Sequence, residues 1–302
     1  MSRRASILLP QMASALRKMA RRGEGRVARL SDLEARILVE LHLFGPLTMT
    51  SLVEILGNEK SQVSRSLQSL LAASLVDRGA LRSPIALSAA GATLAQTIVG
   101  NAQTDAAKMV AGISGREQSQ LVALLPRLWT TSCALLAEEN GRQDRNPAPS
   151  FARINDQLME QTTRIDLLPL RIATLGMLLQ RSFFLTCRRA AGLPASEAVV
   201  LTHTWGHAPI QGDELARLIG RPKAQTDRTA HALVQLGLIH RKRALARHDW
   251  VYDAAPAGDD KWAVLQHELN RREEALLAGL TPCEASDITR ILDSIHGNIC
   301  SL

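Results

Sequence analysis

The sequence predicts a mainly α protein made of two copies of one domain, each with a small β-hairpin. Three observations predict it: an internal repeat, a helical apolar period that breaks at matching places in both copies, and one short extended stretch per copy. Residues 30–78 lie over residues 193–241 at an offset of 163 without a gap. Identical pairs include Glu34/Glu197, Leu52/Leu215, Gly57/Gly220, Lys60/Lys223, Gln62/Gln225, Arg65/Arg228 and Leu75/Leu238. Their number is well above the roughly three that ordinary residue frequencies would supply. A second register, at offset 167, aligns residues 111–117 with 278–284. A period this long signals a duplicated domain, because solenoid units repeat every ~20–50 residues.

In the first copy, Ser31 precedes an apolar run through Leu33, Ile37, Leu38 and Leu41 that Gly45 and Pro46 end. A short helix is expected from Ser51 to Leu56, closed by Gly57, and a third from Glu59 to Ala72, capped by Asn58. Val63, Leu67, Leu70 and Leu71 make the inner face of the third helix. A hairpin follows, from Leu75 to Leu87, and helix resumes near Ala89. Ser114 with Glu117, and Thr281 with Glu284, have capping-box spacing and open a closing helix in each copy. The second copy begins with a long helix over 163–189, which Pro169 bends or interrupts. The polar, proline-containing stretch 138–150 has no apolar period. The expected organisation is a first domain over 1–140, a linker over 141–160 and a second domain over 161–302.

At 302 residues the chain can bury two cores. The net charge of +7 suits a polyanionic partner, while 3% aromatic content argues against a single-strand stacking platform. Eight basic residues against one acid between Met1 and Arg29 read as a retained helix and basic arm rather than a targeting segment. No apolar run approaches about 18 residues, so no membrane span is expected. The four cysteines have no CxxC spacing, consistent with a reducing, bacterial-type cytoplasm, where the basic charge suits association with the nucleoid.

Two short helices, a third with a polar outer face and then a basic hairpin make a winged helix-turn-helix. Such a helix fits the major groove and the hairpin reaches flanking backbone or minor groove. GPLTMTSLVEILGNEKSQVSRSLQSLLAASLVDR and APIQGDELARLIGRPKAQTDRTAHALVQLGLIHRKR resemble the MarR family of bacterial transcriptional regulators. The resemblance implies tandem winged helix-turn-helix domains with small wings and helical dimerisation-type segments. It further implies a dimer-like arrangement within one chain, an intramolecular pseudodimer, with a homodimer of whole chains as the other assembly. The usual Asp-x-Arg of the family's wing tip is missing from the first wing and reordered in the second, Arg247-His248-Asp249.

In the first copy the expected DNA-facing residues are Lys60, Ser61, Gln62, Ser64, Arg65, Gln68, Arg78 and Arg82; in the second they are Lys223, Gln225, Asp227, Arg228, His231, Arg241, Lys242, Arg243 and Arg247. Glutamine suits adenine, arginine suits guanine or phosphate, and a lysine at a helix start suits phosphate. The unlike outward residues, Ser64 and Gln68 against Asp227 and His231, predict a double-stranded operator with unequal half-sites. Residues 221–248 hold seven Lys/Arg against one acid and residues 58–85 four against two, so the second copy is expected to dominate binding.

By the same resemblance, a small aromatic effector is expected near Arg171, Leu175, His203 and Trp205. His203 and His207 are one helical turn apart without a third ligand at metal spacing, and Cys133, Cys187 and Cys300 read as packing residues. No metal, cofactor or catalytic residue is expected, since phosphate-loop, GxSxG, HExxH and Rossmann motifs are missing from the sequence. The expected function is a sequence-specific repressor released by an effector; the alternative is a winged-helix adaptor or architectural protein without sequence preference.

Overall fold

The structure is a computed structural model and describes residues 4–22, 30–80, 83–143, 164–243 and 249–301. The expected linker lies largely outside them. Elements recur in one order at the two sequence registers. The first series is α1 (Ala5–Arg22), α2 (Asp32–Phe44), α3 (Met49–Leu56), α4 (Lys60–Ala72), β1 (Val76–Arg78), β2 (Ile85–Leu87), α5 (Ala89–Met109) and α6 (Gly115–Gln143). The second is a 3-10 turn (Ile165–Leu167), α7 (Leu168–Ala191), α8 (Ala195–His207), β3 (Ile210–Gln211), α9 (Gly212–Ile219), α10 (Lys223–Gln235), β4 (Ile239–Arg243), β5 (Trp250–Ala254), a 3-10 turn (Pro256–Gly258), α11 (Asp259–Leu277) and α12 (Pro282–Ser301). Pro169 therefore does not bend a helix begun at 163: it sits at the start of α7, where a missing N–H costs no helical bond.

Local chemistry explains most boundaries. Ser31 and Glu34 form a reciprocal capping box on α2, Thr48 caps α3, and Gly57 ends it at φ 65°, a left-handed conformation that glycine adopts without strain. The boxes at Ser114 with Glu117 and Thr281 with Glu284 are both made. The expectation that Asn58 caps α4 is corrected. Glu59 occupies the cap position without a side-chain bond, while Asn58 accepts from Arg36 Nη1 and donates to Gln62.

The change of register from 163 to 167 has a structural origin. Gly91 and Gly258, 167 apart, each bring their Cα against a backbone carbonyl, that of Leu75 and of Leu238, leaving no room for a Cβ. Leu75 and Leu238 are 163 apart, so the four extra residues fall between Leu238 and Gly258, in the second hairpin. Accordingly β1 and β2 pair over three residues, and β4 and β5 over five. In the second series β3 adds a strand, in the order β3-β5-β4; in the first, only a Leu47–Ile85 bridge stands there.

The chain resolves into two compact units. The larger comprises residues 3–181 and 276–302 and joins segments from both sequence registers. Within it α1 packs on α12, α12 also meets α5 and α6, and α2 packs on α5. Gly176 of α7 lies directly against Leu9 and Ala13 of α1. Asn298 Nδ2 donates to the carbonyls of Met109 and Ala111, and Arg290 pairs with Glu117 at 2.7 Å. Leu9, Met12, Leu125, Trp129, Leu175, Leu178, Ile288 and Ile295 are among its buried residues. Helix α6 is, over Gly115–Gly141, long and apolar enough by composition to cross a membrane. Its Leu121, Leu125, Leu128 and Trp129 are instead buried within this unit, as in a core helix.

The smaller unit comprises residues 182–275. Its core gathers Cys187, Leu201, Ile210, Leu215, Ala230, Leu233, Ile239, Tyr252 and Leu265. Buried Arg272 donates to Ser182 Oγ at 2.5 Å and lies over the Phe183 ring.

Candidate nucleic-acid interface

In the larger unit, α3, the Gly57 turn and α4 place a polar helix face outward. Val63, Leu67 and Leu70 anchor α4 in the core, whereas Leu71, expected on the same inner face, is exposed. Lys60, Ser61, Gln62, Arg65 and Gln68 are exposed, and Ser64 is half-buried. Arg65 Nε donates to the Ser61 carbonyl one turn back, which leaves the guanidinium's outer edge available. Lys60 has no ion pair among the described residues. Arg78 is half-buried at the end of β1, and Arg82 lies outside the described residues.

In the smaller unit, α10 repeats part of this face. Gln225, Arg228 and His231 are exposed, and Arg228 Nε donates to the Ala224 carbonyl at 3.2 Å, just as Arg65 does to Ser61. Arg241, Lys242 and Arg243 project from β4. Arg241 lies 4.3 Å above the Trp250 ring, a stacking that fixes its aliphatic stem, and Lys242 is 4.0 Å from Asp253. Arg247 lies outside the described residues.

Lys223 differs from Lys60. Its Nζ is 2.6 Å from Asp249 Oδ1, 2.9 Å from Asp227 Oδ2 and 3.6 Å from Asp213 Oδ1. Asp249 also accepts from the backbone N–H groups of Trp250 and Asp213, and Tyr252 Oη donates to Asp227 Oδ1 at 3.0 Å. Partial burial works against the ammonium, but the hydrogen bonds to Asp249 and Asp227 hold its pKa above the ordinary lysine value. Burial likewise pushes the Asp249 carboxyl up, and the bonds from Lys223 and the two N–H groups overcome it and hold it low. Burial, and then donation to Asp227, pushes the Tyr252 phenol up. The clasp joins α9, α10 and the base of β5. Asp213 and Tyr252 were not singled out from the sequence, and Asp249 only as part of the reordered wing motif; Asp227, at i+4 from Lys223, is the one local signal of the clasp.

The four effector candidates fall in different units. Arg171 and Leu175 belong to the larger and are fully buried. Arg171 Nη1 meets Glu40 Oε2 at 3.5 Å, its guanidinium lies near the rings of Phe44 and Trp129, and its Nε and Nη2 have no partner among the described residues. His203 and Trp205 belong to the smaller unit. Trp205 donates to the Gly258 carbonyl and packs edge-on against Trp262, a packing role. The His203 ring stacks on His207, and burial, reinforced by His207, lowers its pKa to about 4. In the larger unit a cavity of about 340 Å³, which the sequence did not reveal, is lined by Met49, Val53, Glu54, Leu136, Asn140 and Arg181 among others. Burial raises the pKa of Glu54, and burial followed by the nearby Glu54 charge raises that of Cys133 to about 12, which makes it a packing thiol.

Residues 30–83, from α2 to the first hairpin, match the family model described as MarR family. No curated protein matches the chain. Among solved structures, the chain is similar to the transcriptional regulator SlyA at 18% identity, covering 38% of this chain and 81% of that one with a TM-score of 0.35. A MarR protein from Peptoclostridium difficile is 18% identical, covering 38% and 75% with a TM-score of 0.36. A Staphylococcus aureus MarR in complex with salicylate and kanamycin is 15% identical, covering 36% and 75% with a TM-score of 0.33.

Proposed function

We propose that this chain is a sequence-specific DNA-binding transcriptional regulator that carries two winged helix-turn-helix heads in tandem and acts as an intramolecular pseudodimer. The observation that carries the reading is the recurrence of one outward register on α4 and α10. Gln62 and Gln225 follow a helix-start lysine by two residues, Arg65 and Arg228 by five, and both arginines bond the carbonyl one turn back. A MarR-family match over residues 30–83 supports assigning that register to the major groove. Packing of α1 on α12 and of α7 on α1 supports the pseudodimer, since it joins the opening and closing helices of the two copies within one unit. A covalent link replaces association with an effective concentration in the millimolar range and leaves each head free to diverge.

In this reading the chain represses by occupying a promoter, and phosphate contacts from Lys60, Arg78, Arg241, Lys242 and Arg243 supply much of the affinity. The effector is a small aromatic acid: the buried Arg171, with two donor nitrogens, Nε and Nη2, unpartnered among the described residues and two aromatic rings beside it, would take the carboxylate. Genomic-fragment selection with purified protein at about physiological salt tests the regulator. A winning fragment bound ~10³-fold or more above bulk DNA is expected. Salt-sensitive binding with no preferred fragment would replace it with an architectural or adaptor protein.

A further inference from the structure

We propose that Lys223 and Asp227 are positioning residues: their clasp with Asp249, Asp213 and Tyr252 locks the second recognition helix to its wing before DNA arrives, so Lys223 takes no phosphate and Asp227 reads no base. The inference rests on the DNA-reading function proposed above. Lys223 Nζ spends two of its three hydrogen bonds, on Asp249 at 2.6 Å and Asp227 at 2.9 Å, and lies 3.6 Å from Asp213. Three carboxylates against one ammonium give the clasp itself a net negative charge, which disfavours a phosphate at Lys223. Each Asp227 oxygen already accepts one bond, Oδ2 from Lys223 and Oδ1 from the Tyr252 hydroxyl, so the carboxylate is held in the clasp and would have to leave it to turn toward a base edge.

The clasp also spans the head. Asp249 Oδ2 accepts from the first turn of α9 at Asp213, and Oδ1 accepts from the N–H of Trp250, whose ring supports Arg241. One ammonium thereby sets where α10 stands relative to the wing cations. Gly212 belongs to the same construction: a Cβ there would come within 3.1 Å of the Asp249, Lys223 and Asp227 side-chain ends and would crowd the clasp. The first copy holds Thr50 and Ser64 at the positions of Asp213 and Asp227, and no counterpart clasp forms around Lys60 among the described residues.

The test uses the full chain and its selected fragment, comparing wild type with Lys60→Met, Asp227→Asn and the double variant Lys223→Met/Asp249→Asn, which removes one charge of each sign. Lys60→Met is expected to reduce the slope of log affinity against log salt by about 0.9, the value of one phosphate contact. The double variant should leave the slope unchanged while lowering the ratio of specific to non-specific affinity about tenfold, and Lys223→Arg should restore that ratio. A slope loss like that of Lys60→Met, or relaxed preference at a single base pair in Asp227→Asn, would overturn the proposal. Amide exchange at Asp213 and Trp250 in the DNA-free protein keeps the outcomes separable: it should accelerate in the double variant whether or not any fragment is selected, and unchanged exchange contradicts the clasp. If wild type selects no fragment, the DNA-reading function fails instead.

Discussion

The two heads share a frame and differ in how their charges are spent. In the first, Lys60 stands unpaired among the described residues at the start of α4, and the hairpin is short. In the second, Lys223 at the equivalent position is consumed by aspartates, and cationic capacity has moved to Arg241, Lys242 and Arg243 on a longer, three-stranded wing. Of the seven basic residues in 221–248, Arg241, Lys242 and Arg243 stand exposed on β4, while Lys223 at the helix start is held by aspartates. The difference teaches that the two copies keep the same outward glutamine and arginine positions, Gln62/Gln225 and Arg65/Arg228, while the cations around them are paired differently.

Buried charge separates the copies in the same way. Glu40 of the first copy and His203 of the second are equivalent at offset 163. Glu40 is paired in the core with Arg171, and His203 is buried against His207. Arg171→Leu should destabilise the chain by ~3–5 kcal/mol in urea melts, because Glu40 is left buried without its counter-charge, and Glu40→Leu/Arg171→Leu should recover much of that loss. A cost shared equally by single and double variants would remove the pair from the account.

Burial of His203 against His207 predicts that the second copy loses stability in acid. The folded pKa of His203, about 4, lies below the unfolded value of about 6.5, so the unfolded chain binds the extra proton and stability falls as pH drops through that window. The full loss is on the order of 3 kcal/mol below pH 4. Denaturation between pH 7 and 5, followed by the fluorescence of Trp205, Trp250 and Trp262, should show a decline that His203→Leu flattens. A His203→Leu profile as steep as wild type would assign the acid sensitivity to other groups.

A smaller effect distinguishes the reading faces. Arg228→Ala should weaken operator binding by ~1–3 kcal/mol, and by more than Arg65→Ala, because the stacked Arg241 and the wing cations hold the second head on the backbone. Equal or reversed losses in gel-shift titrations would end the claim that the second head dominates. The smallest expected change compares the closing helices. Ser114→Ala and Thr281→Ala each remove two bonds, one accepted from the backbone N–H of Glu117 or Glu284 and one donated to that carboxylate, and should cost about 1 kcal/mol apiece in chemical melts. Clearly unequal costs would show that α6 and α12 do not contribute alike.

Much of the frame was legible because local rules set it. The capping boxes at Ser114 and Thr281, the Gly57 stop and the apolar face of α4 need only neighbours in sequence. Long-range competition was not legible. Arg36, 22 residues away, draws Asn58 from its capping role, and Glu40 meets Arg171 across 131 residues. Of the candidate DNA-facing residues, Gln62, Arg65, Gln225, Arg228 and the β4 cations emerge exposed. Lys223 and Asp227 do not stand free, because their partners Asp249 and Tyr252 arrive from the far side of the second hairpin.

The most direct test of a single chain with two unequal heads is a hydroxyl-radical footprint of the selected fragment, taken with the mass of the complex. One chain should protect two dissimilar half-sites about one helical turn apart, 10–10.5 bp centre to centre, with Arg65→Ala fading one half and Arg228→Ala the other. A complex of two chains on identical half-sites, or a single protected patch that both variants weaken together, would contradict it.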